Sequence, residues 1–320
     1  MSLARNNVYK ALFVLVGALL PLLGLRFSIV PTLLTLSLYY AIVASNWNLL
    51  FGYGGIWSFG QLGFFAIGAY SSALLSKAGT SPWIAMLIGV GISVSLALVL
   101  SIATLRLKAI YFGLTTFGFA TVVSGLLIVI YPAGIVFDVP PLTIGGFSFD
   151  SFGGISYYYA FLVLFLATLY VHKKLLKSRI GIMTLALRDN ETRAISLGVE
   201  PLKVRMILFL VSVIFTSLVG SLYAEYTGNV SQAILGYDLF LTYLIILALG
   251  GIGTFWGPSI ASFLWVFLDF FLRLYLAQWR LIIMGALVVL SLLFLRTGLS
   301  GLYDSLIRWS GEEPSTRSSS

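Results

Sequence analysis

Apolar runs follow one another along almost the whole chain, separated by short connections rich in glycine, proline or charge. They can be drawn at about 8–27, 31–51, 58–77, 83–105, 108–131, 156–172, 205–227, 237–252, 255–273 and 280–297. Most lack the alternation of a half-buried strand and the polar face of a surface helix, so they read as helices enclosed by lipid or by one another. A helical crossing of a bilayer takes roughly 20 apolar residues. The pattern therefore predicts an all-α, polytopic transmembrane helical bundle of about 8–10 spans. Two stretches give the count its range: 237–252 is short, and Gly52 to Gly63 holds five glycines. Either can be a re-entrant or broken helix. Irregular backbone within a bilayer must be buried in protein or face a watery cavity, so these stretches are candidate pathway linings.

One polar island interrupts the pattern. The segment from His172 to Arg205 gathers eight of the 19 Lys and Arg residues. Within it, Arg188-Asp-Asn-Glu-Thr-Arg-Ala-Ile-Ser-Leu-Gly198 carries the signals of a short capped helix. Asp189 or Asn190 can accept backbone N–H bonds as the N-cap, Glu191 places negative charge in the first turn, and Gly198 followed by Pro201 is a stop. The expected helix has about eight residues and a length of roughly 12 Å, too short to span. Ala194, Ile195, Leu197 and Val199 give it a small apolar patch among charges. Two readings fit: a docking helix for a soluble partner, and an interfacial helix lying on lipid headgroups.

Composition narrows the class further. With 59% hydrophobic and 9% charged residues and a mean hydropathy of +1.03, the chain lies far from the soluble globular range. A length of 320 residues leaves no room for a soluble domain beside the spans. One transmembrane domain is expected over 1–310, with its polar coupling region at about 173–205, followed by a Ser-rich tail over 311–320 expected to lack structure. The first run resembles a signal peptide in outline but has no small-residue cleavage site, and reads as a retained helix.

The net charge of +8 reflects topology rather than a nucleic-acid patch. Ten crossings with a cytoplasmic amino terminus leave only Arg26, Lys77, Arg273 and Arg280 outside. That distribution satisfies the positive-inside rule and places both termini in the cytoplasm of a cell-membrane protein. The chain has no cysteine and one histidine, which excludes disulfides, Cys nucleophiles and clustered metal ligands. No metal or other cofactor is expected. His172, beside Lys173 and Lys174, reads as an interfacial residue. Asp269 and Arg273 stand four apart, the spacing of a structural ion pair on one helix face. No carboxylate lies clearly at a midplane, which disfavours a stand-alone ion-coupled transporter or channel, the alternative reading.

Polar residues inside the runs are the candidates for a translocation pathway: Asn46, Asn48, Ser58 and Gln61 around the glycine-rich stretch, and Thr115 and Thr116, which begin a stripe continuing at Thr121 and Ser124. The competing reading is packing, with glycines admitting close helix contacts and hydroxyls bonding backbone. The longest outside loop, Pro132 to Ser156, is either a contact for an extracytoplasmic binding protein or a plain connection.

The island resembles the cytoplasmic loop of permease subunits in ABC importers of the branched-chain amino acid type. Three other segments are similar to that family in the same order: Asn48 to Tyr70 (NLLFGYGGIWSFGQLGFFAIGAY), Leu105 to Gly113 (LRLKAIYFG) and Gly250 to Pro258 (GGIGTFWGP). The resemblance covers roughly 35–270. It implies a type II-like importer permease that pairs with a second related permease subunit, two cytoplasmic ABC ATPase subunits and an extracytoplasmic solute-binding protein. The island is then the coupling helix, with Arg188, Asp189, Asn190, Glu191, Arg193, Ala194 and Gly198 meeting the ATPase. The chain has no Walker A pattern, so ATP hydrolysis is expected on the partners and the chain is not itself an enzyme. Gln61 stands where the resemblance leads one to expect His, and Trp57 where it leads one to expect a smaller residue. Both bear on which solute is carried.

Overall fold

The computed structural model describes residues 29–104, 109–136, 143–144, 147–148 and 155–294. The expected span at 8–27, the tail at 311–320 and both termini lie outside the described residues. The helices, in order, are α1 (Ile29–Asn48), α2 (Gln61–Lys77), α3 (Pro82–Thr104), α4 (Ala109–Ile130), α5 (Ile155–Leu176), α6 (Arg179–Asp189), α7 (Glu191–Ser196), α8 (Pro201–Thr227), α9 (Tyr237–Gly250), α10 (Gly257–Tyr275) and α11 (Arg280–Phe294). A π-helical turn, Leu49–Tyr53, extends α1, and a 3-10 turn, Gln232–Leu235, precedes α9. Among the described residues, six helical stretches are long and apolar enough to cross a membrane: α1 with its π-turn, α3, α4, α5, α8 and α10. The expectation of a polytopic helical bundle holds, and α9 and α11 are shorter apolar helices.

Small residues set the centre of the bundle. A Cβ at Gly68 of α2 would collide with the Ser217 backbone of α8, and one at Gly220 of α8 with the Phe65 backbone. The two helices therefore touch at main-chain distance, the arrangement small residues permit between spans. Hydroxyls reinforce the contact: Ser221 donates to the Gly68 carbonyl at 3.0 Å, and Ser93 of α3 bonds Ser217 at 2.8 Å. Around this seam lies an aromatic core that includes Tyr39, Trp47, Phe65 and Tyr243, all buried. In contrast, only 11% of α4's apolar window is covered by the rest of the chain, so α4 stands at the periphery.

Successive helices reverse direction, which gives the bundle two faces. The island face carries α6, α7 and the connections 49–60 and 251–256. At the opposite face, strand β1 (Ile135–Val136) pairs antiparallel with β4 (Asn229–Val230), Ile135 opposite Val230, tying the long loop after α4 to the end of α8. Thr143–Ile144 (β2) and Phe147–Ser148 (β3) form a short antiparallel pair. The expected Asp269–Arg273 pair is present at 2.8 Å and belongs to a larger cluster. Arg280 of α11 donates through Nε to Asp269 of α10 at 2.6 Å and through Nη1 to Asp238 of α9 at 2.9 Å. These bonds clamp three helix ends that the sequence separates.

Two local expectations are corrected. The coupling region holds two helices, because Ile180, Leu187 and Ala186 give Arg179–Asp189 its own apolar side against Ala194, Val199 and Val204. The short helix itself is six residues, Glu191–Ser196. His172 is buried rather than interfacial, 4% exposed. α5 runs on to Leu176, and α6 turns back against its end so closely that a Cβ at Gly181 would strike the Leu176 backbone.

Candidate functional site

The island is built by caps and one small core. Asn190 leaves helical geometry and its Oδ1 accepts the Arg193 N–H at 3.0 Å, so Asn190 is the N-cap of α7. Gly198, with φ of +85°, ends the turn in a conformation that favours glycine. Ala194 is buried with Leu187 and Val204, and Arg205 of α8 pairs with Glu191 at 2.9 Å. These contacts fix α7 to α6 and to the start of α8.

The island residues named from sequence fall into two groups. Arg188, Asp189, Asn190, Glu191, Arg193 and Gly198 are exposed, with Arg188 Nε 3.6 Å from Asp189, whereas Ala194 packs inward. Arg188 also turns to its own chain: its Nη1 donates to the Gly52 carbonyl at 2.9 Å. Its stem runs past Gly55, and its guanidinium lies beside Gly253. The large exposed apolar residues of the island are Ile182 at 67% and Met183 at 37% on α6, and Ile195 at 50% and Leu197 at 84% on and just after α7.

Beneath the island the two glycine-rich connections meet. Asn48, at the end of α1, donates through Nδ2 to the Thr254 carbonyl at 2.7 Å and accepts the Gly253 N–H through Oδ1 at 2.8 Å. A Cβ at Gly52 would overlap Asn48 Oδ1 and the Gly253 nitrogen, so glycine is required for this approach. The middle segment arrives from the other side. Thr116 of α4 accepts the Phe59 N–H at 3.0 Å through a hydroxyl that donates to its own helix. Gly113 packs against the Trp57 carbonyl. Three segments that are remote in sequence, at 188, 253 and 113–116, thus meet one loop, 49–60.

Of the pathway candidates, Asn46, Ser58 and Gln61 are at most 1% exposed. Gln61 Oε1 accepts from Thr216 of α8 at 2.9 Å, and the Asn46 carbonyl accepts from Ser212, one turn away, at 3.0 Å. The remaining polar atoms, Asn46 Nδ2 and Oδ1, Ser58 Oγ and Gln61 Nε2, have no hydrogen-bond partner among the described residues. A buried polar group left unpaired costs about 1–3 kcal/mol. Asn48 and Thr116, by comparison, are fully used in holding the loops. Thr115 departs from the expectation: it is exposed on the outer side of α4 and donates to the Tyr111 carbonyl at 2.8 Å. Adjacent Thr positions on a helix point about 100° apart, so only one of the pair can face the loop.

Sequence reasoning missed Ser212 and Thr216, whose spacing of four on α8 could have flagged a polar face. It also missed a cleft of about 120 Å³ between α2, α4 and α9, lined by Phe59, Phe117, Thr121, Ser124 and Phe240 among others. Among the described residues no group of three or more His, Asp or Glu is placed to hold a metal ion.

Comparisons with known proteins show the family. Residues 29–292 match the family model described as branched-chain amino acid transport system / permease component. The chain is 27% identical to the high-affinity branched-chain amino acid transport system permease protein LivM of Salmonella typhimurium, over 93% of this chain and 76% of the relative. It is 29% identical to LivM of Escherichia coli over 83% of this chain and 68% of the relative. A probable branched-chain amino acid transport permease protein LivM of Methanocaldococcus jannaschii is 27% identical over 76% of this chain and 81% of the relative. No solved structure matches. The matched segment contains the island, both glycine-rich loops and the Thr116 face of α4, and the chain belongs to the branched-chain amino acid transport system permease family.

Proposed function

We propose that the chain is the permease subunit of an ATP-driven importer for branched-chain amino acids or related small polar solutes. It forms the translocation pathway with a second, related permease and takes its drive from two cytoplasmic ATPase subunits, with solute delivered by an extracytoplasmic binding protein. The observation that carries this reading is the convergence of the island, both glycine-rich loops and α4 around residues 49–60, directly beneath an exposed six-residue helix. The ATPase docks on the α7 surface of Asp189, Asn190, Glu191, Arg193, Ile195 and Leu197, and the island face is cytoplasmic.

Within the bundle the pathway passes the unpaired amides and hydroxyl of Asn46, Ser58 and Gln61. These neutral groups suit a solute that is polar at one end, because they can bond both an ammonium and a carboxylate without presenting a fixed charge. Thin cover over α4 fits a helix whose other side meets the second permease. Reconstitution into proteoliposomes with the partner subunits tests the reading: labelled leucine should enter only with ATP and all subunits present. Uptake by this chain alone, driven by an ion gradient and indifferent to ATP, would support a stand-alone transporter instead.

A further inference from the structure

The guanidinium of Arg188 lies where the island meets the membrane-embedded part of the chain, and its bonding differs from that of its neighbours. Asp189, Asn190, Glu191 and Arg193 are exposed, and so is Arg188, whose Nε lies 3.6 Å from Asp189. Arg188 alone of these also spends a donor on the Gly52 carbonyl at 2.9 Å and lays its Cγ within 3.4 Å of where a Cβ on Gly55 would stand. Gly253, from the other glycine-rich loop, lies with its would-be Cβ 3.5 Å from Nη1. Glycine-rich backbone offers no side chain to grip, so a rigid element can hold it only through carbonyls and N–H groups. A planar guanidinium with several donors suits that task better than an ammonium.

We propose that Arg188 is a positioning strut rather than an ATPase contact, making α6 and the loops 49–60 and 251–256 move as one unit. The proposal rests on the reading that α7 receives the ATPase. A push on α7 passes to α6 through the shared core of Leu187, Ala194 and Val204 and through the Asn190 cap. From α6, Arg188 carries it to Gly52. The loop is held at its other end by Thr116, which accepts the Phe59 N–H, so displacement at Gly52 must be taken up between these anchors, where Ser58 lies and next to which Gln61 begins α2. Asn48 bonds the second loop to the end of α1, so both loops follow together. Coupling between sites is typically about 5–150-fold in affinity, a range that one lost charge-assisted contact can remove.

The absence of native cysteine makes a covalent substitute for the strut testable. A Cβ on Gly55 would stand 3.9 Å from the Arg188 Cβ, within the roughly 3.5–4.5 Å separation a disulfide needs. The double variant Gly55→Cys with Arg188→Cys is assembled with its partners in proteoliposomes, beside each single variant. ATPase association, ATP hydrolysis and leucine uptake are measured before and after oxidation. Gly55 has φ of +61°, so Gly55→Cys strains the loop by itself and that single variant is the reference. Against it, the reduced pair should keep the ATPase bound and active while leucine carried per ATP falls about tenfold. Oxidation should restore most of that ratio in the pair and change neither single variant. Three results would overturn the strut: uptake per ATP in the reduced pair no lower than in Gly55→Cys alone, an oxidised pair that stays uncoupled, or loss of ATPase association on replacing Arg188. Leu197→Glu separates the two ideas. If it leaves ATPase association and coupling intact, the α7 docking reading fails, whatever the cysteine pair does.

Discussion

Asn48 and Gly253 stand 205 positions apart and share a hydrogen bond of 2.8 Å, with Asn48 Oδ1 accepting the glycine N–H. The same amide donates to the Thr254 carbonyl at 2.7 Å, so one side chain satisfies two backbone groups of a loop that makes few bonds of its own. Replacing it by alanine strands both groups in a buried site, at about 1–3 kcal/mol each. Asn48→Ala should therefore lower stability by about 2–4 kcal/mol, seen as a reduced unfolding temperature of the purified protein. Asn48→Asp keeps the acceptor for Gly253 but should cost at least as much, because a buried carboxylate oxygen would then face the Thr254 carbonyl.

Gln61 separates a stability effect from a transport effect. Its Oε1 accepts one hydrogen bond, from Thr216, while Nε2 has no partner among the described residues. Gln61→Leu removes an unpaired polar atom and one neutral hydrogen bond, contributions of opposite sign and about 1 kcal/mol each. Stability should change by less than about 1 kcal/mol, while initial leucine uptake falls at least tenfold. Unchanged uptake would make Gln61 a packing residue.

Glycines at the helix seam and at the periphery should respond in opposite directions to one methyl group. At Gly220 a Cβ meets the Phe65 backbone, whereas at Gly125 of α4 nothing of the chain lies within 4 Å. Gly220→Ala should force α2 and α8 apart and destabilise by about 1–3 kcal/mol. Gly125→Ala should be neutral or stabilise by up to about 1 kcal/mol through helix propensity. Thermal unfolding of both variants in the same detergent gives the comparison.

Removing Arg280 takes the more buried of two cations from Asp269 and Asp238 and leaves them Arg273, at 2.8 and 3.9 Å, whose side chain is 56% exposed. The Arg280 side chain is 12% exposed and that of Asp269 13%, so solvent replaces little of what is lost. Breaking a buried pair from one side costs about 3–5 kcal/mol. Arg280→Met should cost less than that full value, about 2–3 kcal/mol, because Arg273 still pairs with Asp269, and Asp238→Asn should cost less again because Asp238 is 40% exposed. Denaturant or thermal unfolding of the two variants orders them.

Much of this was legible in the chain and some of it was not, for physical reasons. Long uncharged runs announce spans directly, because lipid leaves no other use for them, and α1, α3, α4, α5, α8 and α10 follow the runs. The cap at Asn190 and the stop at Gly198 were readable because they depend on neighbours within a few residues. α6 was hidden: its apolar residues are diluted by charge, and its reason to be helical is a core shared with α7 and α8. The inward turn of Arg188 and the burial of His172 depend on contacts over long sequence distances, 136 residues in the case of Arg188 and Gly52, which no local pattern encodes. The same holds for Arg280 joining Asp269 and Asp238 across three helices.

The central claim is that an ATPase seats on α7 and drives the loops beneath it. Leu197 is the most direct reporter, 84% exposed and outside the strut. A photo-crosslinking amino acid placed at Leu197 in the purified, assembled importer should attach to the ATPase subunit, and the yield should change between nucleotide-free and ATP-bound states. Attachment to lipid alone, in both states, would contradict the account and make α7 an interfacial helix.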